Sequence, residues 1–216
     1  MKISTAVSGR ILQLCSIGVA FALNALAAGS APLYSENFEI YDADANIVRF
    51  LAGDPNHYRA NKSSVVLGNA HSGEKSFLLD VETDADYPLK FLYFQNAENK
   101  VRISPQPGQK LEGWIKLGEG TSPDLKVSLG VNLILPQALD GASKTAQLAL
   151  KVVETGENGW QKVQSEDIAE FAKKVGRWNN WNPEGAILES WLIHITGPED
   201  LKNKRIVVSI DEIALK

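Results

Sequence analysis

The chain has almost no sulfur chemistry to offer: one cysteine, Cys15, in 216 residues. A disulfide needs a pair, so no bridge within the chain holds it together. Basic residues are not in excess either, since 22 Lys and Arg against 26 Asp and Glu leave a net charge of −4. That removes the electrostatic footprint which phosphate backbones require, and with it nucleic acid as a partner. No apolar run reaches the roughly 20 residues of a membrane-spanning helix. Three histidines, His57, His71 and His194, are the whole imidazole supply. No Gly-x-Ser-x-Gly elbow, His-Glu-x-x-His helix or phosphate loop occurs. Internal repeats, low-complexity tracts and linkers are missing too, which points to one domain of ordinary size.

What is present begins with a leader pattern. Lys2 and Arg10 give a basic start, residues 11–23 form a 13-residue apolar run broken only by Gln13 and Ser16, and Ala25-Leu26-Ala27 has the small-x-small spacing of signal-peptide cleavage. Cys15 lies in mid-run behind Leu14, which argues against a lipid anchor. The expectation is a signal peptide over 1–27 and an exported domain over 28–216, secreted or periplasmic. Loss of Lys2 and Arg10 takes the charge from −4 to −6.

The rest reads as strands. In Leu125-Lys126-Val127-Ser128-Leu129-Gly130-Val131-Asn132-Leu133 every odd position is apolar and every even one is Lys, Ser, Gly or Asn. Such a period of two gives one dry and one wet face. Further strands are expected at 47–51, 64–69, 76–82, 89–96, 100–104, 110–117, 146–153, 159–164, 187–196 and 205–215. Turn residues separate them, as in Gly53-Asp54-Pro55-Asn56 and Pro105-Gln106-Pro107-Gly108. This predicts an all-β fold, an antiparallel β-sandwich of the jelly-roll kind. One short helix is expected near 166–175, where Ile168, Phe171, Ala172 and Val175 make a single apolar stripe, Ser165 caps the start and Gly176 ends it.

Several short signatures stand in a telling order. They are Phe38-Glu39, His71-Ser72-Gly73-Glu74-Lys75-Ser76-Phe77-Leu78-Leu79, Leu111-Glu112-Gly113-Trp114-Ile115-Lys116, Gly159-Trp160-Gln161-Lys162-Val163 and Ile210-Asp211-Glu212-Ile213-Ala214-Leu215. Together they resemble the galactose-binding-like jelly rolls, notably the carbohydrate-binding modules that accompany xylanases and glucanases. Two features depart from that pattern: Glu212 replaces the commoner second Asp, and residues 165–186 form an insertion. The resemblance implies a structural Ca²⁺ held by Glu39, Asp211 and backbone carbonyls near Ser72 and Lys75, with Glu36 as a substitute. A hard cation of this kind takes six to eight oxygens.

The resemblance also implies non-catalytic binding of a polysaccharide or oligosaccharide. Sugar rings present a C–H face that stacks on aromatic rings, and hydroxyls that take paired bonds from amides and charges. Trp114, Trp160 and Trp191 fall inside strand patterns, which favours the core. Trp178 and Trp181 lie outside regular alternation beside Arg177 and Asn180 and form one candidate platform. Another is a polar sheet face expected to gather Glu112, Lys126, Ser128, Asn132, Gln147 and Lys151, joined by Trp114. Two alternatives come from other classes. The helix–Trp insertion would dock an envelope protein, or a jelly-roll lyase or hydrolase would use His57, Tyr58 and Arg59.

Overall fold

Apolar residues at every second position make sheets with one dry face, and two such faces close on each other here. The computed structural model describes residues 31–52, 55–136 and 143–216; the signal peptide expected over 1–27 lies outside the described residues. In chain order the elements are β1 (Tyr34–Glu36), β2 (Val48–Ala52), β3 (Tyr58–Leu67), β4 (Lys75–Thr83), β5 (Phe91–Asn96), β6 (Leu111–Leu117), β7 (Lys126–Pro136), β8 (Ser143–Ala149), β9 (Lys151–Thr155), β10 (Gln161–Gln164), helix α1 (Ile168–Asn179), β11 (Ile187–Thr196) and β12 (Arg205–Leu215).

Among the described residues these strands form a seven-stranded sheet, β3-β4-β12-β6-β10-β9 with β1 beside the end of β12, and a five-stranded sheet, β2-β5-β11-β7-β8. The chain passes from β4 in the first to β5 in the second, back to β6, across to β7 and β8, back to β9 and β10, across to β11 and home to β12. That repeated crossing is the jelly roll. Leu79, Val208 and Ile115 from one sheet meet Phe94, Leu129 and Ile193 from the other, all within one buried cluster. Each fully buried side chain of this kind contributes roughly 1.5–3 kcal/mol of transfer free energy.

The two ends of the domain are neighbours, as the resemblance implies by placing Glu39 beside Asp211. Tyr34, Ser35 and Glu36 pair with Leu215, Ala214 and Ile213. The pairing comes just before Asn37-Phe38-Glu39-Ile40, because Phe38 turns out of the strand at φ +65°. The strand expected over 146–153 is two strands. At buried Leu150 the chain changes sheets: its N–H still bonds Leu129 of the five-stranded sheet, and β9 then pairs with β10 of the other. The 100–104 expectation is reduced to a single bridge, Ile103 with Leu188.

The helix forms where its apolar stripe lies but with different ends. Asp167, not Ser165, caps it by accepting from the Glu170 N–H at 3.0 Å. Ser165 Oγ instead accepts from the Leu111 N–H at 3.0 Å, tying the helix entry to β6. Gly176 does not stop the helix, which runs on to Asn179 and ends at left-handed Asn180. Its role is close approach: a Cβ there would lie 2.9 Å from the Trp181 carbonyl oxygen and 3.0 Å from Pro183.

Candidate functional site

The outer face of the five-stranded sheet collects more chemistry than any single segment of the chain. Along β5, Leu92 and Phe94 point into the core, so Phe91, Tyr93 and Gln95 point the other way. Register sets Tyr93 opposite His194 and Gln95 opposite Leu192 on β11. Phe91 and Tyr93 stack at 5.1 Å with a 20° interplanar angle, and Tyr93 meets His194 at 4.8 Å. These three rings form an aromatic strip along one half of the face.

A polar strip crosses the strands beside it. Arg49 on β2 donates to Gln95 Oε1 at 3.2 Å, and Gln95 Nε2 donates to Glu189 Oε2 at 3.1 Å and to Ser190 Oγ. Glu189 also takes Lys100 Nζ at 2.8 Å and Asn132 Nδ2 at 3.3 Å. Asn132 Oδ1 in turn accepts from Gln147 Nε2 at 3.0 Å on β8. The chain of bonds touches all five strands, a span of about 19 Å at four inter-strand spacings. A register shift between Leu188 and Ser190 places Glu189 in this line; such bulges re-aim a side chain. Gln95 and Asn132 are buried at 0% and 1% exposure, so the amides are fixed before any ligand arrives.

Charges on the face are settled by the same contacts. The Lys100 ammonium, with Gln95 adding to it, holds the Glu189 carboxyl below the usual carboxylate range. Burial pushes the Tyr93 hydroxyl up and the His194 imidazole down. Both rings are therefore neutral at pH 7. Because the folded value of His194 lies below the unfolded one, its stabilising contribution is complete above about pH 6.5 and is lost as pH falls toward the folded value. A proton NMR titration of the His194 ring is expected to show a midpoint below 6.5, and His194→Gln should lose this acid-side slope in stability. A midpoint at or above 6.5 would refute it.

The sequence-expected residues are dispersed over the molecule. Asn132 and Gln147 lie on the polar strip, and Lys126 and Ser128 are on the same strand as Asn132. Glu112 and Lys151 do not join them, because β6 and β9 belong to the seven-stranded sheet. Trp114 is likewise on that sheet. His71 stacks on it at 3.8 Å, and Gly156 passes so near that a Cβ would sit 2.8 Å from the indole. It walls a hollow of about 370 Å³ with His71, Trp160 and Asn158 rather than lying open with Asn132. Trp160 and Trp191 are buried. Trp178 is 78% exposed on α1, whereas Trp181 packs partly buried against the core, so the two are not one flat platform. Arg177 and Asn180 are exposed at the end of α1.

The residues implied for calcium meet in pairs, but as donors facing acceptors. Glu39 Oε1 accepts the N–H groups of Glu74 and Lys75 at 2.8 and 2.9 Å. Asp211 Oδ2 accepts those of His71 and Ser72 at 2.8 and 3.0 Å, and its Oδ1 accepts that of Glu212 at 2.8 Å. Lys75 Nζ donates to the carbonyl oxygens of Glu39 and Tyr41. Glu36 is engaged by Phe38, Tyr41 and Asn99. Ser72 and Lys75 thus turn N–H groups, not carbonyls, toward the carboxylates, and this donor set does not fit a calcium ion. Among the described residues the group of His, Asp and Glu able to hold a metal ion is a different one: His57, Asp84 and Asp86, with ligand atoms within 4.8 Å of one another.

No family model matches the chain, and no curated protein matches it. Solved structures do. The CBM22-1 xylan-binding domain of Paenibacillus barcinonensis Xyn10C aligns at 15% identity over 86% of this chain and 94% of its own, with a TM-score of 0.41. The C-terminal family 22 carbohydrate-binding module of Clostridium thermocellum Xyn10B aligns at 16% identity over 85% and 91%, TM-score 0.41. The N-terminal module–xylanase structure of Clostridium thermocellum Xyn10B, complexed with xylohexaose, aligns at 10% identity over 87% and 29%, TM-score 0.46. The matched structures include carbohydrate-binding β-sandwich modules, the group that the motifs resemble.

Proposed function

We propose that this domain binds a polysaccharide without cleaving it, along the outer face of the five-stranded sheet. One observation carries the reading: the Phe91–Tyr93–His194 rings run beside a hydrogen-bonded line of amides and charges that crosses all five strands. The rings supply C–H stacking surface. Arg49, Glu189 and Gln147 supply paired donors and acceptors for hydroxyls over a length of several pyranose units. Stacking rings beside amide donors and acceptors suit the hydroxyls of an uncharged sugar, which makes a neutral plant-type glycan the first probe.

Neither alternative gathers as much. The residues named for a lyase do not converge: Tyr58 packs on Phe50 and Phe94, Arg59 pairs with Glu82, and His57 faces Asp86. Docking of an envelope protein is favoured by the 78% exposure of Trp178. Among the described residues no helix is long and apolar enough to cross a membrane. Export, with cleavage after Ala27, belongs to the proposal through the leader pattern, and N-terminal sequencing of the secreted product should begin at Ala28. Calcium has no part in it, for the reason given by the N–H groups around Glu39 and Asp211.

Affinity electrophoresis in gels containing xylan, xyloglucan or mixed-linkage β-glucan tests the proposal. Retardation by at least one is expected, with affinity falling roughly tenfold or more in folded Tyr93→Ala, as for loss of an aromatic anchor. Trp178→Ala should bind as the unmodified protein does. Loss of binding in Trp178→Ala alone would move the site to the helix. No retardation by any glycan would leave docking as the better account.

A further inference from the structure

The turn between β3 and β4 is fastened by a side chain where the motifs lead one to expect a metal. Lys75 opens β4, and its Nζ lies 3.0 Å from the carbonyl oxygen of Glu39 and 2.7 Å from that of Tyr41. Its own backbone N–H, with that of Glu74, binds Glu39 Oε1. Residues 39–41 and 74–75 are thereby tied through an ammonium and a carboxylate with complementary partners. We infer that the Lys75 ammonium does the stapling at this turn, in place of a calcium ion.

The chemistry of the donors supports this over a bound ion. Calcium requires oxygens turned toward it at 2.3–2.6 Å, six to eight of them. At Glu39 the approach is taken by two N–H groups and a cation that would repel another. At Asp211 both oxygens are committed to backbone N–H groups. Gly73 shows how closely the turn fits the Glu39 carboxylate: at φ +66° it is left-handed, and a Cβ there would fall 2.4 Å from Glu39 Oε1. Three ammonium protons suit two carbonyl acceptors. They bridge two segments without the wider oxygen shell that an ion demands. The inference does not depend on what the five-stranded face binds.

Thermal unfolding of residues 28–216 tests it, with excess EDTA, with excess CaCl₂ and with neither. The same Tm is expected in all three, and elemental analysis of the purified protein should find no stoichiometric calcium. Lys75→Met keeps the stem and removes the cation, leaving two carbonyls without their donor. Its Tm should fall by roughly 4–8 °C, and Lys75→Arg should restore part of the loss. If Lys75→Met fails to fold while Lys75→Arg folds, the cation is needed and the inference stands. A drop in Tm on adding EDTA to the unmodified protein, reversed by calcium, would overturn it. So would a Lys75→Met protein as stable as the parent.

Discussion

Trp191→Ala is expected to remove about 3–5 kcal/mol of stability, the cost of emptying a large aromatic site in a closed core. Trp191 sits mid-way along β11 with 0% exposure, and its ring stands edge-on to Phe38 at 6.3 Å and 88°. Its Nε1–H donates to the Tyr34 hydroxyl at 3.0 Å. Tyr34 belongs to β1, in the opposite sheet, so one indole ties the five-stranded sheet to the strand that closes the domain's ends. Burial, with the Glu36 carboxylate assisting, pushes the Tyr34 hydroxyl well up, so it stays protonated across the working range. Urea unfolding followed by far-UV circular dichroism is the measurement: the midpoint should drop while the slope m is retained. Domains of this kind hold roughly 5–15 kcal/mol in total, so the loss is a large share of it. Tyr34→Phe should cost less, about 1–3 kcal/mol, because it strands a buried indole donor without opening a cavity. A cost below about 1 kcal/mol for Trp191→Ala would show that the two sheets do not depend on this contact.

The difference between what was legible in the sequence and what was not follows from the topology. Alternation in 125–133 announced β7, and with it the outward position of Asn132; Gln147 came from the next alternating run. Tyr93 was hidden for a local reason. Phe91-Leu92-Tyr93-Phe94 is apolar or aromatic throughout, so no change of polarity marks which side faces out. Glu189 was hidden by the bulge that re-aims it. Glu112 was misplaced because β6 and β7 follow one another in the chain yet stand in opposite sheets. Residues close in sequence are therefore often on opposite walls. The site's partners on β2, β5 and β11 come from far along the chain. The helix cap failed for a similar reason, since Ser165 had a competing partner in Leu111 that only the fold brings near.

Asp211→Ala should cost about 2–4 kcal/mol, because it leaves three backbone donors without an acceptor. Asp211 is fully buried on β12, and its two oxygens collect the N–H groups of His71, Ser72 and Glu212. Burial pushes its carboxyl up, against the pull of those three bonds. Glu212, in the left-handed region at φ +49° within the bulge between Asp211 and Ala214, then reaches His71 Nδ1 at 2.6 Å and Ser72 Oγ at 2.7 Å. The last strand thus holds the 71–72 half of the turn, while Glu39 and Lys75 hold the 74–75 half. Asp211→Asn separates charge from geometry. Its single amide oxygen can keep the His71 and Ser72 donors, but its NH₂ group then confronts the Glu212 N–H, so the cost should be about 1–2 kcal/mol. Urea midpoints give the two costs, and hydrogen exchange locates them: amide protection at His71 and Ser72 should vanish in Asp211→Ala and survive in Asp211→Asn. If protection at both amides persists in Asp211→Ala, the turn is held from the Lys75 side alone. The carboxylate on the closing strand would then be a passenger.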